Sequence, residues 1–512
     1  MQGKHDEWQK NLADGVYGMY RRQVAEQLKL DVPFGVTLDV NNRWVVLAAL
    51  MPWGKIDEMY STNFEGKNGQ VAKPSRLAFG ALYIQRRLDI TDEETVAQIW
   101  ENPSMQFFCG FDTYSIEKPF DPSLMVHFRK RLSENTMKEI AEAVFAEEAR
   151  KAILTEKKNG DSDENGDNSN NEGSNGEEEG GKPKGTLLLD ASCFPSDIHY
   201  PTDIGLLNHA RELLEVIIDE FWNQLTERQR IAVYNSTKPR TYRDTARSAY
   251  MIYVKKRKNT HDEIRFVIKQ QLQYVRRNLD TIESMTGQGS DISAIEEELR
   301  KKLETIKEVY RQQKYMYDNK THSVEDRIVS IAQPHVRPIV RGKAGAPVEF
   351  GAKVATARIG GFTFVIHSGY DNFSEGKYLK KTVEEYKRMF GFYPETVIGD
   401  NAYTTRDNRK YCKSRGIRLS CRKMGRKTEE EKEAERKQLY EDTCTRNAVE
   451  GDYGVVKRKY GLDRVMTKLY ETTLTAISFG FFVKNMERIL RLFVLLTLLL
   501  NGNKWNVDYC SA

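Results

Sequence analysis

The run "RNAVEGDYGVVKRKYGL", from Arg446 to Leu462, holds three residues whose types and spacing could do chemistry on phosphate. Glu450 and Lys457 follow Arg446 by four and eleven residues, close to whole helical turns, so a helix puts all three on one face. A carboxylate flanked by two cations suits a site that holds a metal ion and grips a phosphate backbone. Upstream, two aspartates each close an apolar, strand-like run: Asp190 in "GTLLLDAS" and Asp400 in "ETVIGDNAY". Two strand-end aspartates and a later helical glutamate match the order of two-metal phosphoryl-transfer sites. The constellation reads as one that cuts and joins DNA.

The elements around these residues follow from pattern. Residues 1–155 are expected to be helical: "PSRLAFGALYIQRRLDIT" opens on Pro-Ser and spaces Leu77, Leu82, Ile84 and Leu88 as a helix does. A later helix opens on Asp121-Pro122 and is expected to expose Arg129, Lys130 and Arg131. The segment fits a small DNA-binding module or a helical oligomerisation domain. Residues 156–185 are Gly, Asn, Ser and acid with almost no apolar residue, which predicts an acidic, disordered linker. A strand ending at Asp190 starts the next domain, expected over 186–470 with a helical insertion at about 204–330. Inside that insertion, "DISAIEEELRKKLETIKEVYRQQKYMYD" has coiled-coil-like spacing. Two alternating runs joined by Gly360-Gly361 predict a hairpin. Helix, strand, helix and strand then lead to the helix of Glu450. Residues 471–512 are expected as a C-terminal helical segment. Its "ILRLFVLLTLLL" is too short to span a membrane and is expected to pack in protein.

Net charge is only +5, so its distribution matters more than its sum. From Arg406 to Lys427 there are ten Lys or Arg, Arg422 and Lys423 among them, and one acid. Charge alone fits a solvated face as well; the position beside Asp400 favours a phosphate-binding surface. Arg337, Arg341 and Lys343 are expected to form a basic, DNA-facing loop, the alternative being a solvated turn. Asp197, His199 and Asp203 read as caps or turn residues rather than catalytic groups. Tyr250, Tyr253, Tyr274 and Tyr310 read as packed rather than as stacking on bases. Six scattered cysteines without a C-x-x-C pair indicate neither zinc nor disulfides and suit a reducing cytoplasm. The N-terminal residues show no apolar leader, so a cytoplasmic, nucleoid-associated location is expected.

The local text adds a resemblance. "DASCFPSDIHYPTDIGLLNHARE", "QPHVRPIVRGKAGAPVEFGAK" and "IGDNAYTTRDN" resemble bacterial insertion-sequence transposases of the DDE class. The N-terminal "PSRLAFGALYIQRRLDITDEETVAQIWENPSMQFFCGF" is similar to the InsH-type domain that precedes their catalytic domain. The resemblance implies an α/β fold: a ribonuclease H-like mixed sheet with a large helical insertion, after an all-helical N-terminal domain. It implies a catalytic, metal-binding triad of Asp190, Asp400 and Glu450 with two Mg²⁺ ions, for which Mn²⁺ would substitute. Asp190 would bridge both ions, Asp400 bind one and Glu450 the other, while Arg446 and Lys457 hold phosphates. Where the family's signature has tyrosine this chain has Thr443. The implied partners are double-stranded DNA, at the element's terminal inverted repeats and at the target, and further copies of the chain in a homodimer or larger synaptic complex, with no membrane. The implied reaction is hydrolysis that liberates 3′-hydroxyls, which then join target DNA. Two readings stand beside it: a metal-dependent nuclease without strand transfer, and an inactive DNA-binding regulator.

Overall fold

The computed structural model describes residues 38–64, 71–160, 182–343, 346–422 and 425–501, and the paired two-residue strands Val16–Tyr17 and Tyr20–Arg21. After that pair, the described residues form the helices α1 (Arg43–Leu50), α2 (Trp53–Ser61), α3 (Ser75–Leu88), α4 (Asp92–Glu101), α5 (Pro103–Phe108), α6 (Leu124–Arg131) and α7 (Glu134–Gly160). Strand β1 (Thr186–Pro195) precedes helices α8 (Asp203–Gln224), α9 (Glu227–Tyr234), α10 (Arg243–Lys255), α11 (His261–Gly287) and α12 (Glu297–Asp318). Then come β2 (Pro338–Lys343), β3 (Ala346–Ile359), β4 (Phe362–Gly369), α13 (Leu379–Phe390), β5 (Thr396–Ile398), α14 (Arg406–Ser414), β6 (Arg418–Leu419), α15 (Glu429–Lys459) and α16 (Tyr470–Asn501). Residues 161–181, most of the expected acidic linker, lie outside the described residues.

The chain divides into two compact units, Met1–Pro195 with Lys353–Gly369 and Phe373–Ala512, and Ser196–Ala352 with Tyr370–Asn372. In the first, α3 starts at the Pro-Ser signal and buries Leu77, Phe79, Leu82, Tyr83 and Ile84. Phe79 and Tyr83 set their rings 5.2 and 6.4 Å from Phe482 of α16, and Arg87 pairs with Glu487 at 2.7 Å. The first helices and the last therefore share one apolar core. Arg129 departs from its expected exposure. It is buried, with Nη1 and Nη2 donating to the two oxygens of Asp92 at 2.9 and 2.6 Å. A bidentate carboxylate is what makes a guanidinium tolerable in such a place.

The sheet of this unit runs β4-β3-β1-β5-β6. β1, β5 and β6 are parallel, whereas β3 and β4 form an antiparallel hairpin with Ile359 opposite Phe362. Gly360 and Gly361 close it at φ +55° and +85°, the left-handed pair that a two-residue turn requires. β2 was not foreseen. Arg341 and Lys343 lie in this strand, not in a loop, because the β3 backbone offers antiparallel partners from Ala346 to Phe350.

The second unit is built on α8, α11 and α12, whose inward residues include Leu207, Leu214, Ile218, Val275, Ile282, Leu303 and Ile306. α12 buries Leu299, Leu303, Ile306, Val309 and Met316, the stripe that its spacing predicted. Tyr310 packs against this core.

The last helix corrects an expectation. α16 buries Phe479, Phe481, Phe482, Val483 and Met486, but Leu492 through Leu496 are each between 43% and 57% exposed. Five consecutive apolar residues point all round a helix, so packing along one side cannot cover them. Among the described residues no helix is long and apolar enough to cross a membrane.

Candidate active site

Strand register sets the two aspartates. Leu187, Leu188 and Leu189 are buried, and Thr186–Leu188 pair in parallel with Thr396–Ile398. Extended by two residues, that register would set Asp400 level with Asp190, and the Asp400 charge does act on the Asp190 carboxyl. Asp190 does not end its strand as the apolar run suggested. β1 continues to Pro195, because Ser192, Cys193 and Phe194 are again buried, on both of its faces. β5 does stop: after Gly399, Asp400 caps the turn Asn401–Tyr403 by accepting from the Ala402 N–H at 2.9 Å.

Burial pushes the Asp190 carboxyl up to about 6; the Ala191 N–H, donating at 2.8 Å, and the Arg446 guanidinium oppose the rise, while Glu375 and Asp400 add to it. Glu375 is thus a further carboxylate at this place, one that the sequence reading missed. Lys353 Nζ lies 2.9 Å from its Oε1 and donates to the Phe373 carbonyl at the same distance. The turn Glu375–Tyr378 packs tightly on the turn after Asp400: a Cβ at Gly376 would collide with the Ala402 carbonyl. Asn408 Nδ2 donates to the carbonyls of Gly376 and Tyr403, 2.9 Å each, and ties the two turns together. No spacing in the sequence announces Glu375, which stands alone between a strand and a helix.

The helix of Glu450 is set by its caps and by polar anchors. Thr428 and Glu431 form a capping box at the start of α15, and Lys457, Arg458 and Lys459 occupy its last turn, where the helix dipole favours cations. Its inner face carries Val449, Tyr453 and Val456. The Tyr453 hydroxyl lies 2.7 Å from Thr356 Oγ1 on β3. Asp452 Oδ2 accepts from Arg358 Nε at 3.0 Å, and from Thr363 Oγ1 and Lys484 Nζ at 2.7 Å. Burial pulls the Lys484 ammonium down to about 8, against the pull of Asp452. Asp452, an acid two residues from Glu450, is committed to this network. Lys457 Nζ donates to Ser192 Oγ at 3.0 Å and lies 5.1 Å from the centre of the Phe194 ring. Ser192 is two residues beyond Asp190 and so on its side of β1, a relation the strand period could have shown.

Glu450 is 59% exposed, with Arg446 Nη2 at 3.5 Å from Oε1. Arg446 therefore acts on both Glu450 and Asp190. Thr443, at the family's tyrosine position, turns its hydroxyl back to the Leu439 carbonyl at 2.8 Å. Carboxylate oxygens, those of half-buried Asp190 among them, are the donors a hard divalent cation takes. Among the described residues no three His, Cys, Asp or Glu stand close enough to hold an ion.

The remaining predicted residues are elsewhere. Arg422 is exposed, its carbonyl accepting from Arg409 Nη1 at 2.8 Å, and Lys423 lies outside the described residues. Arg337, in the second unit, turns its guanidinium onto the carbonyls of Pro334 and Val336 in its own turn. Asp203 accepts from Gln313 Nε2 at 2.8 Å and Arg327 Nη2 at 2.6 Å.

Comparison with known proteins gives two stretches of the chain a family likeness. Residues 397–487, which span Asp400, Glu450 and Lys457, match the family described as "Transposase DDE domain". Residues 36–131 match the one described as "Transposase domain (DUF772)". Together the two matches indicate an insertion-sequence transposase of the DDE class. Over 99 residues the chain is 38% identical to a Rhizobium meliloti protein described as "Uncharacterized protein ORF8 in nfe locus". That alignment covers 19% of this chain and 47% of the relative, so the chain spans about half the relative's length. No solved structure matches the chain.

Proposed function

We propose that this transposase binds the terminal inverted repeats of its element, cleaves the DNA ends by divalent-metal-dependent phosphoryl transfer and joins the 3′-hydroxyls to target DNA. The observation that carries the reading is the parallel register that levels Asp190 with Asp400, within the unit where α15 brings Arg446 to Asp190. The mixed sheet with β1 at its centre supports a ribonuclease H-like core. Asp190 and Asp400 would hold the cation, Mg²⁺ or Mn²⁺, and Glu450 would join them once α15 draws in on bound DNA, since the three do not stand together among the described residues; the bound cation would supply Lewis-acid chemistry at a phosphate. Arg446 offers a planar fork for phosphate oxygens and Lys457 a point charge. Exposed Arg422 would extend that grip along the backbone. A pair of chains would bring two DNA ends together.

The test is cleavage of DNA bearing the gene's own flanking ends in Mg²⁺, comparing the wild type with Asp400→Asn. Cleaved and joined products from the wild type alone support the reading. Cleavage without joining would make the protein a nuclease, and end binding without cleavage a regulator.

A further inference from the structure

The second unit carries a surface that the reaction above does not use. Residues 238–258, "KPRTYRDTARSAYMIYVKKRK", hold eight Lys or Arg and one acid, a net charge of +7 where the whole chain has +5. The segment contains α10, which buries only Ala246. A 13-residue helix with so little packing is marginal in water, and the eight cations of the segment repel one another. Lys238 and Arg243 pair with Asp219, and Lys256 with Glu263. Arg240, Arg247, Lys255, Arg257 and Lys258 are exposed and have no carboxylate within 4 Å among the described residues.

Two further observations point to a ligand for this face. Tyr242, before α10, holds a left-handed backbone at φ +57° without glycine's freedom and without a side-chain cap. Such strain persists where surrounding contacts enforce it, and it concentrates at functional surfaces. Here the Tyr242 ring has the guanidinium groups of Arg240 and Arg277 at 4.6 and 5.0 Å from its centre. On the same helix Ile252 is 73% and Val254 52% exposed, beside the run Lys255–Lys258. Cations interleaved with exposed apolar side chains suit a polyanion whose backbone also offers sugar faces to pack against.

We propose that residues 238–258 form a second DNA-binding surface, gripping the phosphate backbone of a duplex without reading its sequence. This rests on the transposase reading, which supplies DNA as the polyanion. α10 is about 20 Å long, and duplex DNA presents one phosphate per about 1.7 Å of axis, so the five cations can each find a phosphate.

The experiment measures affinity of the full chain for a labelled duplex by fluorescence anisotropy across salt concentrations. One variant carries Gln at Arg240, Arg247, Lys255, Arg257 and Lys258. A control carries Gln at Arg300, Lys301, Lys307, Arg311 and Lys314, exposed cations of α12 in the same unit. Each lost phosphate contact removes about 0.9 from the slope of log K against log salt, so the first variant should lose about four to five and the control less than one. A double variant, Arg247→Gln with Lys258→Gln, should lose about two and covers the case in which the fivefold variant does not fold. Equal slopes in variant and control, or no change in either, overturn the proposal while leaving the transposase reading intact. Failure of the wild type to bind any duplex removes both. An unchanged DNA slope with lost binding to phosphatidylserine-containing vesicles would assign the face to lipid and overturn the proposal.

Discussion

Helices α15 and α10 both carry cations, and they are built in opposite ways. α15 buries Val449, Tyr453 and Val456 and is anchored through Asp452, Tyr453 and Lys457 to three strands and to α16. α10 buries Ala246 and leaves most of its surface to solvent. The difference follows from what each is proposed to do. A carboxylate that must share a metal with residues on other elements needs its support fixed to within a fraction of an ångström. A surface that holds a phosphate backbone by charge tolerates looseness, since Coulomb attraction falls off gently with distance.

The comparison breaks most sharply at Glu450. Glu450→Gln should abolish cleavage while the melting temperature and binding to the element ends stay near those of the wild type, because the side chain is exposed and its loss is felt only in chemistry. Retained cleavage would remove it from the site. Next comes the anchor beneath it. Asp452→Ala leaves Arg358 and Lys484 without their shared carboxylate and should lower stability by about 3–5 kcal/mol in a urea titration. An unchanged midpoint would show that α15 does not depend on this network.

The sign of the Asp190 shift sharpens the account further. With its folded value at about 6, above the 3.8 of an ordinary aspartate, the fold binds this proton more tightly than the unfolded chain does. Without metal, stability should therefore fall as pH rises between about 4 and 6, and the penalty is complete above that range. Asp190→Asn should then be more stable than wild type at pH 7 in a chelator, by up to about 3 kcal/mol, with the gap closing near pH 4. Thermal melts at the two pH values decide it; a less stable variant at pH 7 would contradict the assignment. The smallest effect is expected from Ser192→Ala, which removes one partner of Lys457 and should cost about 1 kcal/mol. A loss of several kcal/mol on denaturation would mean that Ser192 supports more than this bond.

Much of this was legible in the sequence because it rests on period. The leucines before Asp190, the helical spacing from Arg446 to Lys457 and the Gly360-Gly361 turn are local patterns, and each leads to an element that is present. What escaped depends on partners distant in the chain. β2 exists through its pairing with β3, and Arg129 is buried because Asp92 receives it. Glu375 acts on Asp190 from a turn that closes on the one after Asp400, an approach that Gly376 permits by lacking a side chain. The exposed end of α16 failed for the converse reason: hydropathy predicts a wish for burial, not a neighbour that grants it.

The most direct measurement is a calorimetric titration of Mn²⁺ into the full chain at pH 7.5, for wild type, Asp190→Asn and Asp400→Asn. The account predicts saturable binding in the wild type that is lost or weakened at least tenfold in each variant, with the folded state intact by circular dichroism. Equal Mn²⁺ affinity in all three would contradict it, and would mean that Asp190 and Asp400 are level neighbours that hold no metal.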